Sequence, residues 1–311
     1  MTIEHVAVIG TGVIGSSWAA YFLAKGFTVT VYDPAPNAEQ TLRQHVQNFW
    51  PALQELGVGQ GINPDQLRFE ADLHAAVKDA DFIQENAPER LNIKHELIAQ
   101  IEQATRPTTI ISSSSSGLLV SDMQAGAQHP ERIVLGHPFN PPHLIPLVEV
   151  IGGKLTSADT VQRTMQFYKD IGKKPIHVKA ERKGHVANRL QAALWREALY
   201  LLQEDVVSVE DLDTAIAHGP GLRWALLGPF INLHLSGGAG GIAHTIEHLG
   251  PPIEEWWQDL GTVSLTPELR EKLTQGVQEE LAAYDQQALL RKRDALLVDL
   301  LKAKENTPDY L

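Results

Sequence analysis

Gly10-Thr11-Gly12-Val13-Ile14-Gly15 follows the apolar run Ile3–Ile9 and opens a stretch of helical character, Ser16–Lys25, that Gly26 closes. A strand running through a glycine turn into a helix assigns each glycine a task. Gly10 permits the tight turn, Gly12 lets a ligand's pyrophosphate approach the backbone, and Gly15 lets the helix pack close to the strand. The free N–H groups at the helix start favour an anion there, and Val13 and Ile14, between the glycines, belong to the same candidate cofactor-binding stretch. A glycine-rich turn that serves packing alone is the plain alternative. The next β-branched run, Thr28–Tyr32, weighs against it, because Asp33 follows directly, 18 residues beyond Gly15. A carboxylate at that place accepts from a ribose hydroxyl and repels a 2′-phosphate, and no arginine occurs before Arg43. The stretch therefore predicts a dinucleotide site for NAD rather than NADP.

Outward from this unit, short apolar runs alternate with helical stretches. Phe82–Gln84, Thr109–Ile111, Ile133–Leu135, Leu147–Ile151 and Pro175–Val178 read as further strands, and Asn37–Leu56 reads as a helix that Pro51 kinks or divides. The pattern predicts parallel strands with helices on both faces, a Rossmann-type doubly wound α/β sheet over residues 1–182. Beyond it strand-like runs disappear. Long segments such as Gly184–Glu204 and Pro267–Lys304, with turns expected at Gly219–Pro229 and Gly237–Gly241, predict an all-helical second domain over 183–311.

The length of 311 residues suits two domains. Hydrophobic residues at 43% against 21% charged ones give a chain able to bury a core, and the net charge of −12 without a dense basic run argues against nucleic acid. Zero cysteines exclude thiol chemistry and disulfides, and no uninterrupted apolar stretch is long enough to span a membrane. A chain that begins on a strand, without a basic start or cleavage site, reads as cytoplasmic.

Two elements carry chemistry. Ser112–Ser116 directly follows a candidate strand, at the strand end where open α/β sheets bind ligands; most of a polar run there simply caps the following helix. His137 closes one candidate strand and Glu149 lies in the next, so neighbouring strands can bring imidazole and carboxylate together. Oxidising a secondary alcohol with NAD⁺ needs a base for the hydroxyl proton, and a glutamate on the second ring nitrogen fixes the tautomer. With thirteen histidines in the chain, spacing alone leaves a surface or structural role open for any of them.

Taken together these residues resemble the L-3-hydroxyacyl-CoA dehydrogenase family over nearly the whole chain. The resemblance implies that Gln84–Glu89, followed by Lys94, is the stretch in which Glu89 and Lys94 flank the nicotinamide half; by spacing they are equally a helix-start acid and a surface lysine. It implies Ser116 on the substrate's 3-oxygen, His137 and Glu149 in proton transfer, and Asn188 completing the site. Five consecutive serines leave the register of Ser116 open, and Gly117 stands where many members have another serine. Asn188 near a helix start is also a common structural residue. Ala193–Leu199 and Gly221–Ala225 are similar to the members acting on small free hydroxy acids, carnitine- and gulonate-like. That implies a small-molecule hydroxy acid substrate, with Trp195 on the helix face of Asn188 and Gln191, and with Arg223 as a carboxylate fork. Trp195 in a core and Arg223 in a salt bridge are the plain alternatives. Trp256, Trp257 and Tyr284 are candidate faces for a quaternary ammonium, with core or dimer contacts as the alternative. A homodimer is implied as well. The alternatives in function are a hydroxyacyl-CoA substrate and a crystallin-like structural role.

Overall fold

The computed structural model describes residues 3–307 and divides into two compact units, Met1–Arg189 and Leu190–Leu311. The first holds one eight-stranded sheet: β1 (His5–Ile9), β2 (Thr28–Tyr32), β3 (Arg68–Glu70), β4 (Phe82–Glu85), β5 (Ile110–Ser113), β6 (Ile133–Pro138), β7 (Leu147–Gly152) and β8 (Lys174–Val178), in the order β3-β2-β1-β4-β5-β6-β7-β8. Its helices are α1 (Val13–Ala24), α2 (Ala38–Glu55), α3 (Leu73–Val77), α4 (Leu91–Ala104), α5 (Val120–Met123) and α6 (Ala158–Asp170). One apolar cluster joins α1, α2 and α6 to one face of the sheet, and a second joins α3, α4 and α5 to the other. Both faces being covered, Val6, Ala7, Val8 and Ile9 are all buried, which is why the central strands read as continuous apolar runs.

The structure corrects the expected pattern in several places. The strands are not all parallel: β1 to β6 are, but β7 runs antiparallel to β6 and β8 follows β7. The connection 139–146 is too short for a parallel crossover, which takes a dozen residues or more, so the chain returns beside β6 in the opposite sense. β3, a three-residue edge strand, carries too little pattern to be read from sequence. Of the kink or division expected at Pro51, division is excluded, because α2 runs on through it, with Pro51 on an exposed face.

The second unit is helical from α7 (Ala187–Gln203), which begins inside the first, through α8 (Val209–Ala217), α9 (Pro220–Trp224), α10 (Pro229–Ser236), α11 (Gly241–Asp259), α12 (Pro267–Leu281) and α13 (Gln286–Glu305). The turn expected over Gly219–Pro229 contains α9, and the segment expected as one helix over Pro267–Lys304 is two, because the Asp285 carboxylate caps a new start by accepting from the Ala288 N–H. Its small core centres on Leu202, Val209 and Leu269. Among the described residues no helix is long and apolar enough to cross a membrane.

Candidate active site and cofactor cradle

The glycine turn lies where the strand order reverses between β1 and β4, the crevice in which open α/β sheets take ligands. Gly10 has φ +97°, and a Cβ there would lie 2.8 Å from the Asn86 carbonyl oxygen; a Cβ on Gly15 would lie 2.0 Å from the Gly10 oxygen. A Cβ on Gly12 would meet nothing within 4 Å. Two of the glycines are thus required by the protein's own packing, while the third faces open space at a helix start that has no side-chain cap. Asp33 is held ready: Oδ2 accepts from the Thr11 N–H (2.7 Å) and hydroxyl (2.8 Å), and Oδ1 from the Ala35 N–H (2.8 Å). Open space above Gly12, uncapped N–H groups and a fixed carboxylate fit an adenine dinucleotide.

The parallel pairing of β4 with β5 sets Gln84 beside Ser112 and Glu85 beside Ser113, so residues 84–89 face the serine run. Ser112 shares a hydrogen bond with the Tyr168 hydroxyl (3.0 Å), whose proton loss burial makes harder. Ser113 donates to Glu85 (2.6 Å), Ser114 to Asn86 (2.7 Å) and Ser115 to Glu89 (2.5 Å). Ser116 is exposed, and its hydroxyl has no partner among the described residues. Four of the five serines are therefore occupied in holding the loop, and Ser116 is the one with a hydroxyl to offer.

Glu89 also accepts from the Gly117 and Leu118 N–H groups (2.9 and 3.2 Å). Burial works to raise its carboxyl, but the Ser115 hydroxyl, these N–H groups and the nearby Lys94 charge outweigh that and hold it below the usual range. Lys94 is not a surface lysine. It is 1% exposed, and its ammonium donates to both Glu85 oxygens (2.7 Å each) and to the Ala87 carbonyl (2.9 Å). All three of its hydrogens are thereby engaged, so its influence on a cofactor passes through Glu85 and Ala87. Glu85, which also accepts from Ser113 and the Ala87 N–H, escaped the sequence reading; a carboxylate at the end of a buried strand was the signal.

In the antiparallel pair β6–β7, His137 stands directly opposite Glu149, and Nδ1 meets the carboxylate at 2.8 Å. Both side chains are buried. The other carboxylate oxygen accepts from the Val186 and Ala187 N–H groups (2.8 and 3.0 Å). Burial opposes the charge on Glu149, and the bonds from His137, Ala187 and Val186 overcome it, leaving the carboxyl below its ordinary range. With Nδ1 on the carboxylate, Nε2 is the free nitrogen, the arrangement of an oriented general base. The same bonds keep Lys183–Arg189 in the first unit, which places Asn188 there, partly exposed and without a side-chain hydrogen bond among the described residues.

Comparison with known proteins agrees with this layout. The profile of the 3-hydroxyacyl-CoA dehydrogenase NAD binding domain matches residues 5–181, and that of the 3-hydroxyacyl-CoA dehydrogenase C-terminal domain matches 184–287. The chain belongs to the 3-hydroxyacyl-CoA dehydrogenase family. Within that family it is similar to L-carnitine dehydrogenase of Bacillus cereus, at 46% identity over 98% of this chain and 93% of the relative, and to that of Pseudomonas aeruginosa, at 45% over 98% and 95%. Among solved structures it resembles 5-formyl-3-hydroxy-2-methylpyridine 4-carboxylic acid 5-dehydrogenase, an NAD⁺-dependent dismutase, at 30% identity and TM-score 0.84, covering 97% of this chain and 98% of that one. The protein is an NAD-dependent dehydrogenase of this family.

The remaining expected residues lie in the second unit. Trp195 is 55% exposed on α7 and not in a core; Arg223, on α9, is exposed and makes no ion pair among the described residues. Trp256, Trp257 and Tyr284 are exposed as well.

Proposed function

We propose that the protein oxidises the 3-hydroxyl of a small, free L-3-hydroxy acid to the 3-oxo acid, with L-carnitine as the preferred substrate. The buried, carboxylate-oriented His137 carries the mechanistic part of this reading. NAD⁺, when bound, supplies the hydride acceptor. His137 Nε2 takes the hydroxyl proton, and Glu149 fixes the ring and steadies the imidazolium that forms. The Ser116 hydroxyl donates to the substrate's 3-oxygen, and the Asn188 amide adds a second polar contact. Gly10, Gly12, Val13, Ile14, Gly15 and Asp33 hold the dinucleotide, and Asp33 makes NAD at least about tenfold better than NADP. Glu89 and, through Glu85, Lys94 shape the loop under the nicotinamide half.

The choice of L-carnitine rests on relatives of that activity at 43–46% identity over nearly the whole chain. Arg223, without an ion-pair partner among the described residues, offers a fork for the carboxylate; exposed Trp195, Trp256, Trp257 and Tyr284 offer aromatic faces to the quaternary ammonium. The same reading takes the protein as a cytoplasmic homodimer whose helical unit brings the exposed apolar side chains of two copies together. The test is kcat/KM for L-carnitine, L-gulonate, L-3-hydroxybutyrate and L-3-hydroxybutyryl-CoA at fixed NAD. L-Carnitine ahead of the others is expected, and a clear win for the thioester overturns the free-acid assignment.

A further inference from the structure

His185 combines two unfavourable features beside the proton-transfer pair. Its backbone is left-handed, φ +51°, directly after Gly184 at φ +73°. Its ring is buried, 3% exposed, with Nδ1 lacking a hydrogen-bond partner among the described residues. An L side chain is strained in that backbone region, though histidine adopts it more readily than most, and an unpaired buried nitrogen destabilises the fold. Local strain of this kind collects at functional sites.

What the strain accomplishes is visible in the neighbours. The turn at Gly184–His185 directs the next two N–H groups, of Val186 and Ala187, onto one oxygen of Glu149, leaving the other for His137. On the side-chain end, His185 Nε2 lies 3.2 Å from the Ser115 carbonyl oxygen. A carbonyl only accepts, so Nε2 carries the hydrogen. That carbonyl belongs to the peptide bond joining Ser115 to Ser116, and its orientation sets the position of the free serine. The His185 and His137 rings lie 5.2 Å apart.

We propose that His185 is a positioning residue that locks the Glu149–His137 pair and the Ser116 loop into one geometry, its backbone turn holding the carboxylate and its Nε2–H holding the serine peptide. This rests on the reading of His137 as base and Ser116 as substrate contact. The groups acting on the ring are His137, Glu149 and Glu89. Burial and the neighbouring His137 keep it from taking up a proton, against the Ser115 bond and the two carboxylates, so the ring works as a neutral donor.

The experiment compares His185→Phe and His185→Gln in the full-length enzyme with NAD and L-carnitine. Both side chains strain the left-handed backbone, but only glutamine places an N–H where Nε2 stands. Phenylalanine is expected to lower kcat about tenfold and leave the KM for NAD unchanged, because the Ser115–Ser116 peptide loses its donor while the Val186 and Ala187 N–H groups still hold Glu149. Both variants are expected to melt below the wild type, since histidine adopts the left-handed backbone more readily than either replacement. Glutamine is expected to recover most of kcat. A phenylalanine variant with kcat within twofold of the wild type overturns the proposal, and so does a glutamine variant no faster than the phenylalanine one. His137→Gln is measured in parallel. If it keeps turnover, the base assignment fails and the proposal falls with it; if it abolishes turnover while His185→Phe is silent, the proposal alone fails.

Discussion

The two units differ in how each satisfies its apolar side chains. In Met1–Arg189 two clusters cover both faces of the sheet, and Val13, Leu155, Ile176 and Val186 are the only large apolar residues left exposed among those described. Among the described residues of Leu190–Leu311 the buried apolar side chains are Leu202, Val209, Leu269 and Val298, while Phe230, Leu235, Trp256, Trp257 and others stand in the open. The first unit is a finished core whose exposed polar groups mark a site. The second is an unfinished one whose exposed apolar groups mark surfaces for something else to cover. The proposed base, its carboxylate, the free serine and the glycine cradle all belong to the finished unit, whose packing fixes side chains to the accuracy chemistry needs.

The largest effect expected is on the fold of the first unit. Gly15→Ala sets a Cβ against the Gly10 carbonyl and should leave little folded protein. Gly12→Ala, with room for its methyl, should melt as the wild type does yet bind NAD at least about tenfold more weakly, as calorimetry would read. Equal behaviour of the two would mean that the cradle is packing alone. Next comes the serine run. Ser116→Ala should lower kcat about a hundredfold at unchanged melting temperature, whereas Ser113→Ala, which strips a donor from buried Glu85, should lower the melting temperature first. A reversed pattern would put the substrate serine elsewhere.

For the second unit, Phe230→Asp on α10 should convert a dimer to a monomer by light scattering, with the secondary structure intact. A wild-type monomer would contradict the reading of these faces. The smallest effect is on stability against acid. Glu149 is held below the ordinary carboxyl range in the fold, so its charged form stabilises the protein above the unfolded value near pH 4.3. That contribution disappears as pH falls through the depressed folded value. The melting temperature of the wild type should therefore exceed that of Glu149→Gln near neutrality and approach it on acidification. A margin that grew with acid would be the opposite sign.

Sequence legibility followed the same division. The glycine turn, Asp33 and the serine run were readable because each is a local pattern at a strand end, whereas the His137–Glu149 pair was suggested by neighbouring strands and singled out by the family resemblance. The antiparallel return of β7 was also implicit, in the short connection 139–146, yet alternation of strands and helices drew attention to parallel pairing. Lys94 and Glu85 were not readable as a pair, because the Ala87 turn that closes them together lies between strand and helix. His185 was invisible for a stronger reason: a left-handed histidine looks like any other until its backbone angle is known. In the second unit, glycines and prolines suggested turns that the helices absorb, since a proline at a helix start costs no hydrogen bond.

The proposed role of His137, oriented by Glu149, is to take the substrate's proton. The direct measurement is single-turnover formation of NADH from the NAD⁺-loaded enzyme and L-carnitine, in the wild type and in His137→Gln, with NAD affinity measured on both. A fall of about a hundredfold or more in the rate of NADH formation at unchanged NAD affinity is the predicted result; a His137→Gln enzyme that forms NADH at nearly the wild-type rate would contradict it.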